Sequence, residues 1–255
     1  MKSVILAGIR VAIATFLFAG ATALAVTEGC EGLPGPAQLR MLLGNAATGT
    51  GISASLGPGT GVGGLFGGKL MWAAVVNREG ELCAFATSTM DPTQVWPGSQ
   101  AIAKAKAFTA NAFSNDSLPL STARLYTFVQ PGHSLFGLNN SNPFDPRFLA
   151  EPNGLGGGRN QVAGGIITFG GGVPIYNLGG HIVGGLGVSG DTACADHEIA
   201  KRVRDLAGMN PSGGPLVDDI SYSKADGASA VTHPLCPNTV RNGVAIGNEL
   251  PASGY

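Results

Sequence analysis

Residues 169–206 read FGGGVPIYNLGGHIVGGLGVSGDTACADHEIAKRVRDL, and this stretch decides the fold. Val173 to Tyr176 and His181 to Val188 are short runs rich in β-branched residues and bounded by glycines. With Ala163 to Phe169 just upstream, they read as three strands of an antiparallel meander. The period then changes. From Cys194 to Leu206, Ile199, Val203 and Leu206 recur at helical spacing, with Asp196 and Glu198 early and Lys201, Arg202 and Arg204 late. That order of charge suits a helix dipole.

Working upstream, Met71 to Val76 and Glu81 to Ala86 read as a hairpin turning at Asn77-Arg78-Glu79-Gly80. Pro97 to Phe113 carries Ile102, Ala105, Phe108 and Ala112 at helical spacing, and Leu120 to Val129 is predicted to form a further helix. Residues 36–44 form a short helix opened by Pro36. Residues 131–160 are rich in Gly, Asn and Pro and read as a long loop, and the chain after Gly208 reads as a Gly/Pro-rich tail. The order is that of an α+β fold, a mostly antiparallel sheet flanked by helices.

The N-terminus has a different character. Lys2 and Arg10 precede an apolar run from Val11 to Phe18, and Ala23-Leu24-Ala25 is a small-x-small cleavage pattern. The run is shorter than the roughly 20 residues a membrane span needs. Residues 1–25 are therefore expected to be a signal peptide, with a periplasmic or secreted protein that has no membrane attachment after cleavage. The remainder divides into 26–69, 70–208 and 209–255. Lys and Arg total 15 against 16 Asp and Glu, and no basic run exists to neutralise phosphates, so a nucleic-acid partner is excluded.

Several motifs carry competing chemistry. Gly185-Leu186-Gly187-Val188-Ser189-Gly190 matches a dinucleotide fingerprint, but no parallel strand ending in an acid follows it. Close helix–sheet packing is the expected role of these glycines. Ser189 or Asp191 is expected to cap the next helix rather than act in catalysis. Cys30, Cys83, Cys194 and Cys236 are even in number, which in an exported chain favours two disulfides. Three connectivities exist, and Cys30–Cys83 with Cys194–Cys236 is preferred because each pair lies in one half of the chain. Cys194-x-x-His197 and His233-x-x-Cys236 also carry zinc-ligand types, a reading that export disfavours. Among His133, His181, His197 and His233, His133 lies in a Gly/Pro-bounded loop and is the most adaptable candidate for an axial ligand, with His197 its main competitor.

Three segments resemble the GlcG/HbpS-type haem-binding family, which also includes the C-terminal part of PduO-type proteins. They are residues 74–82, AVVNREGEL; residues 103–110, AKAKAFTA; and the stretch from Gly171 through Gly190 to Asp196-His197-Glu198-Ile199-Ala200. Together they span about residues 70–208. The resemblance implies a profilin-like antiparallel sheet with helices on both sides, non-covalent haem or a related tetrapyrrole as cofactor, and assembly into homo-oligomers. It places Thr109 near the iron and makes Lys104 and Lys106 candidate partners for propionates. Asn77 stands where the family commonly has Asp, and His197 interrupts the usual Asp-Glu pair. Two other functions remain open: an enzyme or accessory acting on a small metabolite such as a 2-hydroxy acid, and an assembly module without ligand.

Overall fold

The structure, a computed structural model, describes residues 29–143, 162 and 164–250. The expected signal peptide and residues 144–160 of the expected long loop lie outside the described residues. Helix α1 (Pro36–Thr48) begins on Pro36 and ends where Gly49 turns left-handed, its N–H closing on Ala46. Strands β1 (Trp72–Asn77) and β2 (Leu82–Thr87) form the hairpin, whose turn is held by Asn77 Oδ1 accepting the Glu81 N–H. Helix α2 (Ser99–Ala112) follows, then β3 (Gly172–Tyr176), β4 (Ile182–Ser189) and helix α3 (Ala193–Leu206).

The four strands make one antiparallel sheet in the order β2-β1-β4-β3. Both of its faces are covered. Successive side chains of a strand point to opposite faces, so Ala73 and Val75 of β1 join Leu39, Leu43, Ile199 and Val203 of α1 and α3. Trp72, Ala74 and Val76 join Phe85, Ala103 and Ala107 on the α2 side. This is why β1 is apolar from Trp72 to Val76 instead of alternating. The fold is α+β, as the residue pattern predicts.

The glycines of β4 set the spacing between layers. A Cβ on Gly185 would collide with the carbonyl oxygen of Ala107, and one on Gly187 with that of Ala103. The two positions share a face, and the backbone of α2 rests directly on them. The dinucleotide-like motif is therefore a packing seam.

Three expectations need correction. Residues 165–169 form no strand: the Ile167 N–H is taken by Thr109 Oγ1 of α2 at 3.0 Å and so is lost to a sheet ladder. Leu120 to Val129 forms two 3-10 turns, 122–125 and 127–129, because Thr122 and Thr127 bond outward to Phe169 and Thr232. The cap of α3 is Thr192, whose hydroxyl accepts the Ala195 N–H. Asp191 turns instead to the Gly-rich segment before β1, accepting N–H groups from Leu65, Phe66 and Gly68.

The tail is folded. Strands β5 (Ser221–Tyr222) and β6 (Thr232–His233) pair in parallel, and β7 (Thr239–Arg241) and β8 (Val244–Gly247) pair antiparallel. Ile220, Tyr222, Leu235 and Cys236 pack with Ala123 and Cys194 in a third apolar cluster. Disulfides join Cys30 to Cys83 and Cys194 to Cys236. Among the described residues no helix is long and apolar enough to cross a membrane.

Gly187→Ala is expected to cost about 3 kcal/mol or more, since backbone cannot yield to the new methyl. Gly44→Ala, at an exposed position inside α1 with open space around it, is expected to stabilise by about 0.5–1 kcal/mol. Urea denaturation of both variants reads the contrast, and equal effects would refute the seam.

Candidate functional site

The Gly170–Gly172 segment runs between α2 and α3. A Cβ on Gly171, whose φ is +120°, would lie 2.5 Å from the Val188 carbonyl and 2.6 Å from Lys106 Nζ. Around this backbone lie most of the polar side chains that the sequence singles out.

Lys106 and Thr109 project from the same helix, and both are fully buried. Lys106 Nζ donates to Asp196 at 2.7 Å and to the Val188 carbonyl at 3.0 Å, and it sits 4.9 Å from the Phe169 ring centre. Burial pushes Asp196 up to about 6, with the Lys106 ammonium pulling the other way. Burial also lowers Lys106, and Asp196 partly restores it. Desolvation thus presses both partners toward neutrality, and their contact, with the Asp191 N–H donated to Asp196 Oδ1 at 2.9 Å, works against it. Thr109 Oγ1 donates to the Ala105 carbonyl at 2.7 Å and accepts from Ile167. Residues 165–167 form a cover over it.

Lys104 is buried as well. Its Nζ lies 4.2 Å from the centre of the Phe85 ring, and burial brings it down to about 8.

His197 is sealed on the inner side of α3. The Ile220 N–H is 2.8 Å from Asp219 Oδ1 and 3.2 Å from His197 Nε2. The Ile220 N–H is thus shared between the two, and His197 Nε2 lies 3.3 Å from Asp219 Oδ1. Nδ1 is buried with no hydrogen-bond partner among the described residues. Lys201 Nζ bridges Asp219 at 2.5 Å and Glu198 at 2.7 Å. Burial raises Asp219, but Lys201 and His197 outweigh it and hold the carboxyl well below the usual range. Arg204 grips Asp218 through both nitrogens, at 2.9 and 2.6 Å.

His233 faces the Cys194–Cys236 disulfide. Its Nδ1 donates to the Pro234 carbonyl at 2.7 Å, leaving Nε2 as an acceptor 3.4 Å from the Gly170 nitrogen. Burial brings it down to about 4, so the ring is neutral at pH 7. His133 is placed differently: it is exposed, in a turn-rich loop. Asn139 of that loop bonds Thr168 at 3.2 Å, which ties the loop to the segment covering Thr109.

The chain thus has a sealed polar centre and an outer region where the His133 loop meets the Thr109 cover. The sealed centre includes Asp218, Asp219 and Asn242 from the tail, which the sequence reading passes over. Their only signal is a pair of adjacent acids in an otherwise Gly/Pro-rich stretch.

A family model described as "Haem degrading protein HbpS-like" matches residues 66–205. The chain belongs to the HbpS-like family. That match covers the sheet, α2 and all but the last residue of α3, the same region that carries the resemblance. Among solved structures, Klebsiella pneumoniae ORFY is similar at 23% identity, covering 68% of this chain and 86% of that one, with a TM-score of 0.44. A PduOC–haem complex is similar at 22% identity, covering 70% and 94%, also with a TM-score of 0.44. A Streptomyces reticuli HbpS double mutant is similar at 19% identity, covering 78% and 97%, with a TM-score of 0.40. No curated protein sequence matches the chain. Relative to its HbpS-like region, this chain adds the folded tail that closes over α3.

Lys106→Met is expected to cost about 3–5 kcal/mol at pH 7.5, because it leaves the buried Asp196 without its counter-charge. Asp196 already titrates above its ordinary value, so this group stabilises the fold most at low pH and least above about 6. Without Lys106 its pKa rises further. The deficit of the variant should therefore shrink as pH falls from 7.5 to 5. Chemical denaturation at the two pH values measures it, and a deficit that grows on acidification would show the charge assignment to be wrong.

Proposed function

We propose that this chain is an exported, non-covalent haem-binding protein. Membership of the HbpS-like family carries the reading, because the region matched contains α2, β4 and α3, which frame both candidate regions. Two disulfides support an oxidising compartment, where such bonds persist.

His133 is the proposed axial ligand. Its imidazole is exposed, and Leu135 and Phe136 beside it present apolar surface to solvent, Phe136 with 66% of its area. An axial donor flanked by exposed apolar side chains is what a porphyrin face needs. Thr109 reaches an iron only when the 165–167 cover lifts, and the Asn139–Thr168 bond links that cover to the His133 loop. Lys104 lies on the same helix and is the proposed propionate partner. Lys106 and His197 are held by Asp196 and Asp219, so their removal should cost stability more than haem affinity.

The family's description as haem-degrading favours a second reading, in which bound haem is also consumed. Both are read in one experiment. Haem added to the purified chain should give a saturable Soret shift, and His133→Ala should weaken it at least about 10-fold. Equal binding by wild type and His133→Ala, with loss in Thr109→Val, would move the ligand to α2. No saturable shift in any form would overturn the haem reading. Loss of the Soret band over time in the presence of a reductant and oxygen would establish turnover. Light scattering on the same samples tests the self-association that the family resemblance implies.

A further inference from the structure

The Cys194–Cys236 disulfide has a neighbour that structural disulfides do not need. The two sulfurs and a ring nitrogen of His233 all lie within 4.8 Å of one another. All three residues are buried, at 1%, 7% and 3% exposure. We propose that reduction of this disulfide opens a Cys194–His233–Cys236 site for a thiophilic cation of the zinc type.

The geometry is close to what such an ion requires. Metal–sulfur bonds of about 2.3 Å at a tetrahedral angle separate two sulfurs by about 3.8 Å. The Cα atoms of the two cysteines are 6.0 Å apart, so side-chain rotation alone supplies that spread. The donors come from two rigid places, the first turn of α3 and the β6 segment with the residues just after it.

Each donor also has a supporting contact. His233 donates Nδ1–H to the Pro234 carbonyl at 2.7 Å, which fixes the tautomer and leaves the Nε2 lone pair to the metal, in exchange for the long Gly170 N–H contact at 3.4 Å. Metal-bound histidines are held in this way. The Cys194 N–H, in the first turn of α3, points at Cys236 Sγ at 3.2 Å. A helix N-terminus aimed at sulfur favours the thiolate that a cation binds. Thr239 Oγ1 lies 3.8 Å from Cys194 Sγ. His197, although it completes the Cys-x-x-His pattern in sequence, is turned to Asp219 and takes no part. Three protein donors leave one coordination position open.

The chemistry balances with a dithiol as reductant. Two thiol groups of the dithiol become a disulfide, the Cys194–Cys236 bond takes up two electrons and two protons, and two thiols form. The divalent cation then displaces those two protons on binding both thiolates and His233 Nε2. In the oxidised chain the sulfurs are committed to each other and the site is closed. The proposal stands apart from haem binding, since it uses none of the residues proposed to hold haem.

The test uses the full chain, reduced anaerobically with dithiothreitol, desalted, and titrated with Co²⁺ and then Zn²⁺. Reduced wild type should yield four titratable thiols and bind one Co²⁺ with a thiolate-to-metal charge-transfer band, which Zn²⁺ abolishes. Cys30→Ser/Cys83→Ser should keep the band. Cys194→Ser/Cys236→Ser should lose it, and His233→Ala should bind at least about 10-fold more weakly. Circular dichroism checks that each form is folded, and His233→Ala, which retains its disulfide before reduction, supplies a folded control. Four outcomes would each overturn the proposal: equal binding by oxidised chain, a band unaffected by His233→Ala, four free thiols with no charge-transfer band, or a folded chain whose Cys194–Cys236 bond resists reduction.

Discussion

Helix α3 buries Asp196, His197, Glu198, Lys201, Arg202 and Arg204, and the architecture follows from the need to satisfy them. A charge removed from water costs several kcal/mol unless a counter-charge and hydrogen bonds meet it. Asp196 is met from the sheet side by Lys106 of α2. Arg202 is met by carbonyls of Ala46, Leu56, Gly57 and Thr60, at the end of α1 and in the segment after it. Lys201 and Arg204 are met by Asp219 and Asp218 of the tail. One helix thus specifies the placement of elements from both ends of the chain.

The same constraint explains what the sequence shows and what it hides. Strands β1 to β4 are legible as short apolar runs bounded by glycines and turn residues, and helices α1 to α3 by the spacing of their apolar residues. The Gly185 and Gly187 seam is legible in kind, since glycines in a strand mark close approach. Hidden is the fate of the charged face of α3. Asp196, Lys201 and Arg204 read only as charges ordered to suit a helix dipole, because local periodicity carries no information about a partner many residues away. Thr122, Thr127 and Thr109 mislead for a related reason. Their hydroxyls take up backbone groups of distant segments, which breaks one predicted helix into two 3-10 turns and removes one predicted strand.

In the candidate regions, residue type is readable and exposure is not. Lys104, Lys106 and Thr109 are evident as a polar set on α2, yet nothing local says that all three are buried. His133 differs because its Gly/Pro-bounded loop marks it as a surface turn. His197 and His233 look equivalent in their mirrored motifs. The structure separates them by their partners: a carboxylate for one, and a carbonyl and a disulfide for the other.

The Cys194–Cys236 bond spans 42 residues, and within that span residues 223–230 form an exposed stretch between β5 and β6. Cleavage there by a protease would leave both fragments in one covalent molecule. The acids Asp218 and Asp219 are held on the α3 side of such a cut, and Asn242 is retained on the other side through Cys236. A nicked chain would therefore keep its buried charges paired and migrate as intact protein until its disulfides were reduced.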